Sequence, residues 1–568
     1  MCKRIIRTAL AVFIVVFSMS MAYPLTEAQG SALSSQVDSL FAPWNKPDVP
    51  GAAVTITHKG KVVYEKCFGL ANLEYQIPIT NETVFNLASV SKQYTALAVL
   101  LLEQEGKLGL DDDIHDYFPE LPDYGAKVTL RNLIHHTSGI WEYSTMFRYY
   151  GGFSSLDRIS INDVLALLEG QDQLLFEPGS QCKYCNTNYA LLGELVARVT
   201  GESLASWTEK HIFQPLKMKD TFFRDDCNQV IPNRASCYYR KDDVYEADPS
   251  NSEVVGPGYL YTTIDDMVLW LDNFRLHTIG GDSLIERMFQ KSRLNDGSES
   301  FYGYGLEVSE RDGKTVIDHS GQTNSFMAMM LYVRDDEVGI VILANNRDIK
   351  AEKLAYETLD LFYGKKADEE KLAEDIQKPE PEPFVSMDSI DTDGIGGAFL
   401  IKGGGGKLMV SRLTNGLYCI FDGLGSDLFY PVCDSVFANS QRNVTFWLHF
   451  DNEHVPTGLV MDLKGNTIEA DRINHPMLSP EQLSADYAGT YYCDALDIAY
   501  HVIVDNGRVV IRHRRYDDRP LQPTDNDEFT GEIGIVRFSR DGGGAVDGFN
   551  VTDEDTSFKP IRFVKIGY

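Results

Sequence analysis

Well past the middle of the chain, the run Pro379-Glu-Pro-Glu-Pro383 closes a charged stretch that begins at Lys365. Closely spaced prolines fix φ, delete backbone donors and hold the chain extended, so residues 365–383 read as a stiff spacer. No single sheet is expected to continue across such a break, and the two sides pose separate folding problems. Their textures differ to match. Residues 30–364 mix hairpin and helix patterns, whereas residues 384–478 and 480–568 carry short alternating strands separated by Gly, Asn and Asp.

Upstream of the spacer, residues 53–56 and 62–67 flank a Lys59-Gly60 turn, and residues 326–333 and 338–343 flank Asp335-Asp336. Each pair reads as a β-hairpin. Helical stretches lie between them, at 94–105 and 191–199. The second places Leu191, Leu192, Leu195, Val196 and Val199 on one face, with Gly201 as its stop. Residues 352–363 also have helical composition. Hairpins at both ends of a helical interior imply an α+β domain, an antiparallel sheet flanked by helices.

The tail carries one pattern twice. Asn415-Gly416-Leu417 recurs as Asn506-Gly507-Arg508, and Pro431, Asp434 and Phe437 recur as Pro523, Asp527 and Phe529. His449-Phe450 with Gly458 recurs as Arg537-Phe538 with Gly548. A nearly constant offset of about ninety residues suggests two copies of a small all-β module. Short strands in such a unit fit a closed antiparallel β-barrel of lipocalin-like form, which leaves no edge exposed. The alternative is two independent β-rich regions with ordinary turns.

At the N-terminus, Lys3, Arg4 and Arg7 precede an apolar run over 9–17, followed by Ser20 and Ala22 in an A-x-A-like arrangement. The run is too short to span a bilayer comfortably, so residues 1–22 read as a signal peptide, with a second candidate cut after Ala28. A retained anchor is the alternative; no retained membrane span is expected, and the protein is expected in the periplasm or outside the cell. Cys2 lies ahead of the apolar run, the wrong place for lipid attachment after cleavage. The other eight of nine cysteines permit disulfides without fixing any pairing, and Cys182-x-x-Cys185 lacks the second pair that a zinc site would need. A formal charge of −31, from 83 acidic against 52 basic residues, repels phosphate backbones and argues against a nucleic-acid partner.

The chemistry concentrates in Phe85-Asn-Leu-Ala-Ser89-Val-Ser-Lys92, which runs into an apolar helix. Residues three apart on a helix share a face, so Lys92 can reach the Ser89 hydroxyl. Ser180-Gln-Cys-Lys183 has the same spacing but follows the Pro178-Gly179 turn, where no helix aligns the pair. A serine hydroxyl needs a base to become a nucleophile, and a nearby lysine can supply either the base or positive charge. Further on lie His135-His136-Thr-Ser-Gly139, Tyr184-Cys-Asn186 and His319-Ser320-Gly321, leading into Gln322. His135 and His136 lack a carboxylate at ligand spacing and read as a structural turn rather than a metal site.

Taken in order, Ser-x-x-Lys, Tyr-x-Asn and His-x-Gly resemble the penicillin-recognising serine hydrolases, with their β-lactamase/transpeptidase-like fold, over essentially the whole region before the spacer. The resemblance implies Ser89 as nucleophile, Lys92 as its proton partner and Tyr184 as general base and later proton donor. It also implies that Asn186 orients Lys92 and meets the substrate amide, and that His319, Ser320, Gly321 and Gln322 form the third motif, with the oxyanion on the backbone N–H groups of Ser89 and Gln322. Relatives that bind a substrate carboxylate commonly carry lysine where His319 stands. A histidine, with a reference pKa of about 6.5, is largely neutral near pH 7, which argues against an efficient β-lactamase or carboxypeptidase. The layout of one such domain and two barrels is similar to that of bacterial D-aminopeptidases, which release N-terminal D-residues from small peptides. In them the last barrel sends a loop to the active site. Here residues 512–520 would do so, with Asp517 and Asp518 as candidates for a substrate ammonium; a solvated hairpin is the alternative. The expected substrate is a small peptide, amide or ester, and neither metal nor organic cofactor is implied. An esterase, a β-lactamase or D-Ala-D-Ala carboxypeptidase, and a noncatalytic peptide- or glycan-binding protein are the alternatives.

Overall fold

The structure is a computed structural model. It describes residues 27–365, 385–387 and 395–567, apart from residues 242, 403–405, 413–415, 422–424, 440–443, 453–454, 464–465, 474–477, 516 and 553–559. The expected signal peptide over 1–22 and all but the first residue of the expected spacer lie outside the described residues.

Ala52–His58 (β1) and Lys61–Phe68 (β2) form the first hairpin. Lys59 and Gly60 turn it, both at positive φ (51° and 74°), the pairing that lets a two-residue turn follow the twist of its strands. Glu307–Arg311 (β3), Lys314–Thr323 (β4), Phe326–Val333 (β5) and Val338–Ala344 (β6) complete a six-stranded antiparallel sheet in the order β3-β4-β5-β6-β1-β2. The two terminal hairpins zip together along β1 and β6, with Ala52 opposite Ala344 and His58 opposite Val338. Gly51 N–H donates to Asn345 Oδ1 at 2.8 Å across 294 residues of chain, closing the domain on itself.

Strand periodicity sorts the core into two layers. Val54, Ile56, Ile340 and Ile342 face Leu33, Val37 and Phe41 of helix Glu27–Phe41 (α1) and Leu354, Ala355 and Leu359 of helix Ala351–Phe362, all buried. The alternate residues Ala53, Val341 and Leu343 face the other way, onto Lys92–Gln104 (α2), Asn186–Thr200 (α3) and Ile264–Leu276 (α4), with Trp270 buried. Both faces of β6 are therefore covered, which explains its unbroken apolar run. Helix α3 ends at Gly201, whose φ of 76° lets its N–H turn back to Ala197 O. Helix Ala351–Phe362 (α5) coincides with the expected 352–363 to within one residue.

Beyond the spacer, eight strands from Gly397–Ile401 to Asn466–Arg472 close an antiparallel barrel, filled by Phe399, Phe429, Phe437 and Phe446. From Gly489–Cys493 to Ile561–Gly567 a second ring forms, pairing its first strand with its last. It is interrupted once, at Leu521 between Arg519–Pro520 and Gln522–Asp525, where Leu521 N–H still reaches Val509 O at 2.8 Å. The repeat is visible in strand register: Pro431 faces Phe437 as Pro523 faces Phe529. One correspondence shifts. His449 faces Gly458 and Ser539 faces Gly548, so His449 matches Ser539 rather than Arg537, and the buried Leu448 matches the buried Phe538.

The second barrel packs directly on the domain that precedes the spacer. Its buried Tyr491, Phe538 and Phe563 belong to the same apolar core as α2 and α3, and the Tyr500 hydroxyl donates to Tyr150 O. The first barrel packs on the second, with Ser411 Oγ and Thr530 Oγ1 3.1 Å apart and Lys407 on Asp525 at 3.0 Å. Eight described cysteines are unpaired, including Cys182 and Cys185. Among the described residues, no helix is long and apolar enough to cross a membrane.

Candidate active site

Ser89 does not lie on the α-helix. Asn86 Oδ1 accepts the Ala88 N–H at 2.8 Å, Ala88 takes φ of 48°, and Ala88–Ser91 forms a 3-10 turn that hands over to α2 at Lys92. In a 3-10 turn residues three apart eclipse one another, so Ser89 and Lys92 are aligned more closely than on the α-helix expected from sequence. Ser180 and Lys183 lie in irregular chain, with no helix between them.

The Lys92 ammonium is fully buried and clasped three ways, 3.1 Å from Ser89 Oγ, 2.8 Å from Asn186 Oδ1 and 2.8 Å from Pro257 O. Burial pulls it down to about 7, against an opposing pull from Glu142. Its Nζ also lies 4.6 Å from the ring centroid of Tyr184. Tyr184 is hydrogen-bonded to Ser89, which favours the phenolate, but burial of the ring outweighs that bond and pushes the phenol up. One side of Tyr184 stays open, at 39% exposure. The other rests on His136, with centroids 4.4 Å apart, and His136 Nδ1 accepts the N–H of Cys185 at 3.1 Å.

Asn186 opens α3 and is fixed from behind by Glu142, which accepts both its backbone N–H and its side-chain Nδ2 (3.4 Å). Glu142 also accepts from Ser144 N (3.1 Å) and Ser144 Oγ (2.7 Å). Neither Glu142 nor Pro257 announces itself in the sequence, since both act through loops with no periodic signal.

Strand β4 supplies the opposite wall. β3 pairs with it only as far as Asp318, so from His319 to Thr323 the β3 side of the strand has no strand partner among the described residues and runs beside the Ser89 turn, while the other side pairs with β5. Gly321 permits that approach: a Cβ there would sit 2.4 Å from Leu87 O and 3.2 Å from Ser89 N. Gln322 is exposed and Ser320 half-buried on the same stretch. His319 is 2% exposed, with Nε2 3.0 Å from the Tyr302 hydroxyl and Nδ1 2.6 Å from Ser320 O. Burial, aided by Lys92, holds its imidazole down to about 3, so it is neutral. Both ring nitrogens are occupied inside the protein, and His319 braces the wall.

A cleft of about 590 Å³ opens over Ser89, lined by Asn186, Gln322, Phe153, Asp248 and Arg347 among others. Asp517 and Asp518 do not line it, which corrects the expectation from sequence. Both are exposed, and Asp518 is neutralised within its own hairpin by Arg512 at 2.8 and 2.5 Å. Arg515 makes the contact from that loop, 3.2 Å from Asp157 and 4.8 Å from the ring centroid of Phe153. Away from the cleft lining, Asp226, Cys227 and Glu253 gather metal-type donors within 4.8 Å, but Glu253 is already held by Arg158 and by Cys227 N–H.

Residues 37–362 match the Beta-lactamase family model. The chain belongs to the beta-lactamase family. That family is one of serine hydrolases, and the match covers the domain that carries Ser89, Lys92, Tyr184 and the β4 wall. Within it, the chain is 29% identical to penicillin-binding protein 4* of Bacillus subtilis (strain 168) over 338 residues, 55% of this chain and 72% of that protein. It is 26% identical to the D-aminopeptidase of Gluconobacter oxydans (strain 621H) over 301 residues, 52% of this chain but only 56% of that relative. A solved structure, the octameric penicillin-binding protein homologue from Pyrococcus abyssi, shares the fold. Its TM-score is 0.54 at 23% identity, over 77% of this chain and 99% of that one.

Proposed function

We propose that this beta-lactamase-family chain hydrolyses amide or ester bonds through an acyl-enzyme on Ser89, with Lys92 as the base. The clasp around Lys92 carries this reading. Asn186 Oδ1 and Pro257 O can only accept, so an uncharged amine spends its two N–H groups on them and turns its lone pair toward the Ser89 O–H. With Lys92 held down to about 7, that uncharged form is well populated at neutral pH. Tyr184 is pushed the other way and stays a phenol, so its part is to pass the proton gained by Lys92 to the leaving group, not to act as the first base. Asn186 meets the substrate amide, and the backbone N–H groups of Ser89 and Gln322, on the open edge of β4, receive the oxyanion.

The preferred substrate is a small peptide with free ends, cleaved to release an N-terminal D-residue. Relatives named D-aminopeptidase support this, as does a cleft that is charged at both signs. Among the described residues Asp248 receives neutral side-chain donors, Asn324 Nδ2 at 2.9 Å and Ser325 Oγ at 2.7 Å, and so has capacity for a substrate ammonium. Arg347 lines the same cleft and suits a substrate carboxylate, the task that neutral His319 does not perform. The basic and apolar N-terminus supports export, in which case the mature protein begins at Tyr23 or Gln29.

A panel of D- and L-aminoacyl anilides, short-chain esters and a chromogenic cephalosporin tests the reading. Fastest turnover is expected on D-aminoacyl anilides, and Ser89→Ala is expected to abolish both turnover and labelling by a serine-directed phosphonate. Undiminished labelling of Ser89→Ala would remove the nucleophile; preference for the cephalosporin would overturn the substrate.

A further inference from the structure

The titratable groups around Lys92 are His136, Glu142, Tyr184, Cys185, Tyr189 and His319, contributed by the loop before Tyr143, the start of α3 and strand β4. Burial pushes Tyr184, Tyr189 and the Cys185 thiol up and both histidines down, so all five are uncharged near neutrality. Glu142 is the one carboxylate among them. It is also the group that decides which way round the Asn186 amide stands. The Asn186 backbone N–H and Nδ2 both donate to its carboxylate, and Ser144 N and Oγ hold that carboxylate in place. With Nδ2 drawn to Glu142, Oδ1 is left facing Lys92.

We propose that Glu142 is a positioning residue for the reaction: it holds the Asn186 amide with its oxygen toward Lys92, and its charge stabilises the Lys92 ammonium. This rests on Lys92 acting as base at Ser89. The carboxylate does not itself line the cleft; it sits behind Asn186 and Ser144, which do, and it works through Asn186 and through space. It offsets part of the burial that favours the free amine, and so sets the pH at which the base becomes available. It also stabilises the ammonium that Lys92 becomes on taking the Ser89 proton, which is the form that donates onward through Tyr184.

The experiment is a pair of pH–rate profiles. In Glu142→Gln, loss of the negative charge disfavours the ammonium, so the acid limb of kcat/KM is expected to move to lower pH by about one unit. The maximal kcat is expected to fall about tenfold, because a carboxamide offers Asn186 one acceptor oxygen in place of two, with KM little changed. Glu142→Asp keeps the charge and withdraws it by one methylene. Its acid limb is expected to move by less than half as much, while kcat still falls. A Glu142→Gln limb that coincides with wild type would overturn the electrostatic role. Should that variant not fold, a Glu142→Asp enzyme with wild-type kcat and wild-type limb would overturn the proposal by itself. Phosphonate labelling of Ser89 in wild type, followed by loss of label in Ser89→Ala, tests the nucleophile independently, so failure there is distinguishable from failure here.

Discussion

The backbone carbonyl of Pro257 lies 2.8 Å from Lys92 Nζ, and it can only accept a hydrogen bond. Together with Asn186 Oδ1 it dictates where an uncharged Lys92 points its lone pair. Because Lys92 is held down to about 7, kcat/KM is expected to climb as pH rises through about 7, the deprotonated amine being the active form. Lys92→Arg is expected to lose about 10²–10⁴-fold in kcat at every pH, since a guanidinium does not release its proton in this range. Steady-state kinetics from pH 5 to 9 on the best anilide check both; a flat wild-type profile would assign the base elsewhere.

Gly321 is needed for a steric reason, since its backbone is not in the left-handed region. A methyl at this position would meet Leu87 O at 2.4 Å, and backbone on both sides leaves the clash nowhere to relax except by separating β4 from the Ser89 turn. A displacement of about 1 Å at an oxyanion site costs on the order of 10²-fold in rate. Gly321→Ala is therefore expected to cut kcat about 10²-fold while costing about 1–3 kcal/mol in stability. Kinetics alongside thermal melting separate the two effects, because a merely destabilised enzyme would keep its kcat per folded molecule.

The parts legible in the sequence are those with a local physical code. Lys59-Gly60 marked a two-residue turn, Gly201 marked a helix end, and the change of texture after Pro383 separated catalytic domain from barrels. The Ser89–Lys92 pair was legible through spacing, although a 3-10 turn, not an α-helix, aligns it. What was not legible depends on chain segments meeting at a distance. Glu142 reaches Asn186 across 44 residues, and Pro257 reaches Lys92 across 165. Asp518 looked available because sequence does not show that Arg512 folds back onto it, and nothing in the sequence singles out Arg515, which contacts Phe153.

That contact connects the last barrel to the wall of the cleft. A guanidinium over an aromatic ring is worth about 0.5–1 kcal/mol at a partly exposed site, and the Asp157 ion pair adds about 0–1. Arg515→Ala is expected to loosen Phe153 and raise KM by roughly two- to tenfold with kcat retained. Asp517→Ala and Asp518→Ala, by contrast, are expected to leave KM within about twofold of wild type. Michaelis kinetics on di- and tripeptide anilides test this, and an effect of Asp517→Ala larger than that of Arg515→Ala would restore the acidic loop as the functional contact.

On the far side of the sheet from the cleft, Asp318 is buried on β4 beside His319 and accepts a hydrogen bond from Tyr356 of α5. Burial pushes its carboxyl up to about 7, and Glu307, directly opposite on β3, and Glu352 push in the same direction. The folded pKa therefore lies above the unfolded one, near 3.8. Between pH 4 and 7 the folded chain holds a proton that the unfolded chain has released, so this group's contribution to stability falls as pH rises through that window. Its cost is complete above pH 7. The rise from 3.8 to about 7 bounds that cost at about 4 kcal/mol, and relaxation around a buried carboxylate reduces it. Asp318→Asn keeps an acceptor for Tyr356 without the charge. The variant is expected to be about 1–3 kcal/mol more stable than wild type at pH 8 and indistinguishable from it near pH 4. Urea unfolding at the two pH values measures the difference directly. A gain that is the same at both would mean that packing, rather than the ionisation of Asp318, is responsible.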